Sequence, residues 1–412
     1  MKRKQLITLL KLLVGLALIV FVLNQVHLRD QLVIQTRGAD GKVRSEAKHD
    51  GQLASAIGAD PIVFDQDPPA DAPAGTSPKR ITVWAKDTTD AVSYQANPGM
   101  FKLVHDMRMG WFVVAALMYF IACSTSAFRW QWLVNANGLR LSMWDGFRLT
   151  WIGTFFNNVV PGLTGGDLIK AIYVVRHTGE KTRSIVSVIV DRVMGLLALG
   201  LLAALVVPFQ MDRVLRDPGF RFLALGIYGT ILAVCCLAAV FFSKRIRRAL
   251  SLDALLKKLP MADLLQKIDD AIRFYRGHTR GLLVWLVFSV INHAISVFSV
   301  ICVGEALQIG VPWTEYLILI PVINIASAAP IAPAGWGVGE ALYGFMFKNF
   351  CAQYLPTAAG AGAIMATRGV TLSIVSRLLQ LLWSLLGGLF VAFSKEKVTA
   401  SDKEIDDALH GQ

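Results

Sequence analysis

The feature that most constrains this chain is the recurrence of apolar runs long enough to cross a lipid bilayer. A spanning helix needs about 20 mainly apolar residues, and runs of that kind occupy residues 6–23, 111–130, 184–209, 222–242, 282–302 and 362–393. The chain is 54% hydrophobic with a mean hydropathy of +0.52, which leaves too little polar surface to cover a soluble domain. A soluble enzyme is therefore excluded. The expected fold class is an all-α integral membrane protein of about six transmembrane helices, counted as one per apolar run.

Charge and cysteine content narrow the partners. The formal charge is +12, and the basic residues crowd into loops beside apolar runs, above all in 243–281 with Lys244, Arg245, Arg247 and Arg248 at its start. Cytoplasmic orientation and anionic lipid headgroups account for that pattern. No groove-reading module accompanies it, so no nucleic-acid partner is expected. The five cysteines (Cys123, Cys235, Cys236, Cys302, Cys351) form no CxxC pair and have no histidine at ligand spacing. Neither a disulfide framework nor a metal site is indicated, and no cofactor is expected.

Residues 1–23 follow Lys2, Arg3 and Lys4 and read as an uncleaved anchor helix with a cytoplasmic N-terminus. Residues 24–108 form an extracytoplasmic insert, polar and small. Branched residues at 32–36 and 81–85 predict strands, 38–41 supplies turn chemistry, and 68–78 is a Pro-rich linker. Residues 109–393 make the transmembrane domain, whose connection 243–281 predicts amphipathic helices on the cytoplasmic surface. A cytoplasmic tail, 394–412, completes an inner-membrane protein with both termini inside.

Two apolar segments are broken by glycine and proline. The first runs from Trp144 through Asn157 and Asn158 into Pro161-Gly162-Leu163-Thr164-Gly165-Gly166-Asp167 and resumes to Val175, before Arg176. Basic flanks on both sides predict a re-entrant hairpin opening to the cytoplasm. The second, 316–350, carries Asn324, Ser327, Pro330 and Pro333, then Ala334-Gly335-Trp336-Gly337-Val338-Gly339-Glu340. It opens to the opposite side, so the halves read as an inverted repeat, with substrate expected near the midplane between interrupted helices.

Each hairpin tip ends in glycines followed by an acid that opens a helix. Asp167 and Glu340 either cap those helices, or the glycine-lined N–H groups hold a phosphate headgroup with Lys170 and Arg176 nearby. The following spans carry charge where charge costs roughly 2.5 to 3.5 kcal/mol. Asp191 lies about 12 Å past Arg183 at 1.5 Å per residue, on one face with Ser184, Ser187 and Gly195. Gly369, Ser373, Arg377, Gln380 and Ser384 make a similar stripe. Asp191 and Arg377, with Arg192 and Arg368, are expected to face each other across the repeat axis. A purely structural buried ion pair is the alternative. His293, beside Asn292 in mid-span, is either a proton relay or an interhelical hydrogen-bonding group. Trp111, Trp130 and Trp144 read as interfacial anchors.

The run Phe155-Phe156-Asn157-Asn158 through Asp167, then Ser187 to Asp191-Arg192, and Pro333 to Gly337 with Glu340 resemble the lysylphosphatidylglycerol synthase transmembrane region, the flippase-like domain family. The resemblance covers roughly 109–393, with departures at Lys170, Ala334 and Gly339. It implies translocation of a phospholipid or of an isoprenoid- or hopanoid-type lipid intermediate between leaflets. The family's synthases carry a soluble aminoacyl-transfer domain. Nothing comparable follows residue 393, so synthase activity is not expected.

The expected substrate contacts are Asn157, Asn158, Gly165, Gly166, Asp167, Lys170, Arg176, Asp191, Arg192, Asn324, Gly335, Gly337, Glu340, Arg368 and Arg377. The expected partners are membrane lipids with an anionic headgroup. A homo-oligomer and a protein partner for 24–108 stay open. There is no GxxxxGK[ST] loop, so transport would be passive or ion-coupled. An intramembrane lipid or glycosyl transferase using Asp167, Asp191 or Glu340 is the alternative, and a membrane scaffold the third.

Overall fold

The computed structural model describes residues 26–37, 43–69, 72–73, 76–89, 92–159, 165–242, 245, 279–328, 337–355 and 360–393. The expected anchor helix, most of the amphipathic connection, the hairpin tips with Gly335, and the tail lie outside the described residues.

The described N-terminal part is a five-stranded antiparallel sheet in the order β4-β3-β2-β1-β5. Its strands are β1 (Asp30–Arg37), β2 (Val43–Leu53), β3 (Ile62–Gln66), β4 (Lys79–Val83) and β5 (Val92–Asn97). Leu32, Leu53 and Phe64 form its apolar core, with Ile34, Ile62, Ile81 and Ala96 packed around them. The two expected strands correspond to β1 and β4. β2 escapes a pattern search because its long polar sequence, VRSEAKHDGQL, has little alternation to detect. It is held by pairing on both edges, with β1 and with β3.

Helix α1 (Met100–His105) joins the sheet to the helical domain. Its Leu103 is fully buried in the main apolar cluster. The Asp30 carboxylate accepts from Leu53 N and Gly99 N, each at 2.7 Å, so a buried side chain fixes the sheet to the start of α1. The His27 N–H donates to Thr367 Oγ1 at 3.1 Å, and Val26 packs on Val370. The sheet is thus docked on the helices.

The helical domain comprises α2 (Met109–Ala136), α3 (Met143–Val159), α4 (Gly165–Thr178), α5 (Lys181–Val206), the short α6 (Met211–Arg216), α7 (Pro218–Phe242), α8 (Thr279–Ala306), α9 (Trp313–Ser327), α10 (Val338–Phe350) and α11 (Ala361–Ala392). Among the described residues five helices are long and apolar enough to cross a membrane, within Met109–Ala136, Arg183–Arg216, Pro218–Cys236, Arg280–Ala306 and Ala361–Ala392. In a bilayer each peptide group must bond within its own segment, which helices of this length achieve. Their outer faces are apolar at three- or four-residue spacing: Val113, Leu117 and Ile121 on α2, and Leu378, Leu382, Leu385 and Leu389 on α11 are all exposed. Their inner faces carry the small and polar residues. Ser184 and Ser187 of α5 and Ser384 of α11 are fully buried, and Ser373 is nearly so.

Helix α2 packs on α8, α3 on α11, and α9 on α5, while α4 lies on α5 and α10 on α11. Near the sheet, Arg108 N donates to Ala306 O at 2.9 Å and Gln210 Nε2 donates to Thr314 Oγ1 at 2.9 Å. The Arg213 guanidinium donates to Phe350 O. These contacts put the start of α2, the end of α8, the start of α9 and the end of α10 at one end of the bundle. Two helix pairs approach so closely that only glycine fits. A methyl on Gly166 of α4 would lie 1.9 Å from Gly153 O of α3, and one on Gly387 of α11 would lie 2.0 Å from Trp151 O.

Candidate functional site

Among the expected site residues, charged side chains gather into three groups, the first of them partly exposed, with the Arg192 side chain 44% accessible. In the first, Asp167 sits in the first turn of α4 and forms an ion pair with Arg192 of α5. Gly166 N, one residue before it, donates to Asn157 Oδ1 at 3.0 Å, which ties the start of α4 to the end of α3. Asn158 Nδ2 instead bonds back to Thr154 O of its own helix at 2.9 Å. Gly165 is the first residue of α4. The Lys170 ammonium lies over the Trp130 ring, 5.1 Å from its centroid, and Arg176 is exposed. Trp130 is therefore no interfacial anchor, since it is 1% exposed and packs beneath that lysine. Trp144, by contrast, is exposed.

In the second group, Glu340 lies in the first turn of α10, 3% exposed. Its Oε2 accepts from Gly337 N at 2.6 Å, closing the turn at a glycine whose φ of +83° places it in the left-handed region. Its Oε1 pairs with Arg377 Nε of α11 at 2.5 Å, and Ser373 Oγ donates to it at 3.4 Å. Gly339 makes room for this arginine, because a methyl there would lie 2.3 Å from Arg377 Nη2. Glu340 thus both caps its helix and holds a guanidinium. Asn324 is exposed near the end of α9.

The third group corrects the expected pairing of Asp191 with Arg377. Asp191 Oδ1 accepts from Arg129 Nε of α2 at 2.8 Å, and Arg129 Nη1 donates to Ser289 Oγ of α8 at 3.2 Å. Arg129, at the end of the apolar run 111–130, turns inward and is 5% exposed. The physical reason is economy of desolvation: a buried carboxylate and a buried guanidinium each need an opposite charge at contact distance, and α2 brings one to Asp191 while α10 brings one to Arg377. Among the described residues Arg368 meets neither Asp191 nor Glu340 and instead reaches a carbonyl. Its Nη1 donates to Ile309 O at 2.7 Å, tying α11 to the turn between α8 and α9.

One further pair was not legible as a site. Glu315, in the first turn of α9, is 0% exposed and forms an ion pair with Arg213 of α6. The Tyr354 hydroxyl donates to Glu315 Oε1 at 2.6 Å. The signal was present, since Glu315 opens an apolar helix, but its partner lies 102 residues away. Among the described residues no three His, Cys, Asp or Glu side chains come together as a metal site.

Chemically, the site offers guanidinium groups held by carboxylates at the starts of α4 and α10. Arginine suits phosphate or carboxylate oxygens, which it binds in a two-pronged fashion. With apolar outer faces and a charged interior, the fold defines a multi-pass integral membrane protein. The family profile described as the lysylphosphatidylglycerol synthase TM region matches residues 99–378. That is more than half of the chain, which belongs to this family. It is also similar to a UPF0104 membrane protein of Pyrococcus horikoshii, at 24% identity over 326 residues, covering 73% of this chain and 92% of that relative.

Proposed function

We propose that this protein is a flippase-like transporter that moves a phospholipid, or a lipid-linked intermediate with an anionic headgroup, between leaflets without ATP. The observation that carries this reading is the recurrence of one device in both halves. The acid opening the second limb of each broken segment, Asp167 or Glu340, is paired with an arginine of the next long helix, Arg192 or Arg377. In this reading the carboxylate holds each guanidinium until a headgroup phosphate takes its place.

The proposal includes an inverted repeat of α2–α5 and α8–α11. It is supported by the matching contacts of α3 with α11 and α9 with α5. It is supported too by the 15 and 13 residues of α9 and α10, about 22 and 20 Å of helix, against a hydrocarbon core of about 30 Å. Each would then be a re-entrant limb. The proposed orientation puts both termini on the cytoplasmic side of the inner membrane and the β-sheet outside, where it is open to a protein partner. A transferase is less favoured, because Asp167, Asp191 and Glu340 are all engaged by arginines instead of standing free as an acid or base.

Purified protein in liposomes containing fluorescent NBD-phosphatidylglycerol tests the reading through dithionite quenching. Wild type should speed exchange of the inner-leaflet probe, and Arg192→Gln and Arg377→Gln should each slow it at least about tenfold, the loss of one charge-assisted contact. Unchanged rates in both variants would refute the site. A new lipid species in the extract would instead establish the transferase.

A further inference from the structure

We propose that His293, with the Arg129–Asp191 pair, forms a proton-binding site that couples lipid movement to a proton gradient. This rests on the transport reading above and supplies the energy source that reading leaves open.

The argument begins with what the three helices bring together. Ser289 and His293 are four residues apart on α8, Asp191 and Gly195 four apart on α5, and Thr125 and Arg129 four apart on α2. Each pair shares a helix face. Arg129 bridges Asp191 and Ser289, and one turn earlier on α2 the Thr125 hydroxyl bonds to Asn292 Oδ1. The α2–α8 contact is therefore lined by polar groups in the middle of two spans.

Within it the His293 Nε2 atom is buried and has no hydrogen-bond partner among the described residues. It points at Gly195. A methyl built on that glycine would lie 3.6 Å from Nε2 and 3.9 Å from Arg129 Nη2, so the glycine keeps open a gap between the imidazole and the ion pair. A buried polar atom without a partner is costly to retain inside a span, and histidine is a side chain that both takes up and releases protons.

The charged side chains facing His293 are Arg129 from α2 and Asp191 from α5. Helix α8 carries none of its own between Arg280 and Glu305; of the other helices packed on α8, α9 commits Glu315 to Arg213, and α11 commits Arg377 to Glu340 and Arg368 to Ile309 O. When Nε2 takes a proton, the imidazolium becomes a second cation beside Arg129 and competes with it for the Asp191 carboxylate. The proton comes from water on one face and returns to water on the other, with no bond broken in the lipid.

The consequence reaches the headgroup through one peptide bond. Asp191 and Arg192 are adjacent on α5 and point about 100° apart. Asp191 faces the proton site, and Arg192 faces Asp167 of the first hairpin. A turn or shift of α5 that follows the exchange of Asp191 between Arg129 and His293 therefore moves Arg192 relative to Asp167. A proton on His293 and a headgroup on Arg192 bias the same rigid helix, which is the requirement for coupling.

The experiment uses full-length protein in liposomes with NBD-phosphatidylglycerol as the lipid probe and the pH dye pyranine inside. Wild type should change its lipid exchange rate up to about tenfold per unit of imposed pH difference, the driving force of one coupled proton. It should lose that response when nigericin collapses the gradient, and should shift the lumenal pH as the probe moves. His293→Gln should still move lipid, at a rate that the gradient no longer changes. Gly195→Ala, which fills the gap with a methyl at ordinary contact distance, should do the same with its fold intact.

Lipid exchange by wild type that is equal with and without a gradient would overturn the coupling while leaving transport standing. So would a His293→Gln protein that still responds. Absence of exchange under every gradient would instead sink the transport reading itself. Should His293→Gln fail to fold, the nigericin comparison on wild type decides alone.

Discussion

Replacing Arg213 by alanine is the sharpest test of how the charged interior is held. Its partner Glu315 is 0% exposed and Arg213 only 11%, so the substitution leaves a carboxylate out of water with the Tyr354 hydroxyl as its remaining donor. Glu315 Oε2 already lacks a hydrogen-bond partner, so a new one cannot be found without opening the site. Breaking a buried pair from one side costs about 3–5 kcal/mol. Each kcal/mol moves the midpoint of a domain of about 200 residues by roughly 2–4 °C and that of a larger one by less, so a fall on the order of 5–10 °C is expected. The assay is thermal unfolding in detergent followed by intrinsic fluorescence, at one scan rate because membrane proteins commonly unfold irreversibly. The ten tryptophans supply the signal. The control is Arg213→Met with Glu315→Leu, which removes both charges and should lie within about 1 kcal/mol of wild type. A single variant that shifts by less than about 1 °C, or a double variant less stable than the single, would refute the reasoning.

The remaining predictions concern packing and the sheet. Gly166→Ala puts a methyl 1.9 Å from Gly153 O, so α3 and α4 must part. The expected loss is about 1–3 kcal/mol or more, read as a lowered midpoint, whereas Gly226→Ala on α7, with nothing within 4 Å of its methyl, should be neutral or mildly stabilising. Asp30→Ala leaves Leu53 N and Gly99 N without their acceptor, at roughly 1–3 kcal/mol each if water cannot reach them. Limited proteolysis should then cut the sheet before the helices, and unchanged cleavage would mean that Asp30 does not fasten it.

Much of this architecture was legible from the amino-acid order because it depends on local quantities. Hydropathy summed over some 20 residues located every described helix long and apolar enough to span, since a segment's transfer into lipid is a property of that segment. Periodicity on α5 likewise marked Ser184, Ser187, Asp191 and Gly195 as one inward stripe, because residues four apart share a face wherever the helix sits. Turn chemistry and branched residues marked two of the strands. The polar β2 went unseen because its stability comes from neighbours on both edges.

What the sequence alone determined, then, is that the chain enters a membrane, which stretches form its long helices, and that Asp191 and Arg377 lie on polar stripes of those helices. Only the tertiary structure decided how those charges pair. Asp191 meets Arg129 across 62 residues, Glu315 meets Arg213 across 102, and Arg368 spends its charge on the Ile309 carbonyl. A buried charge takes the opposite charge or dipole that helix packing brings within contact distance. That proximity is set by which helices cross and by glycines such as Gly153, Gly166 and Gly339 that let them approach.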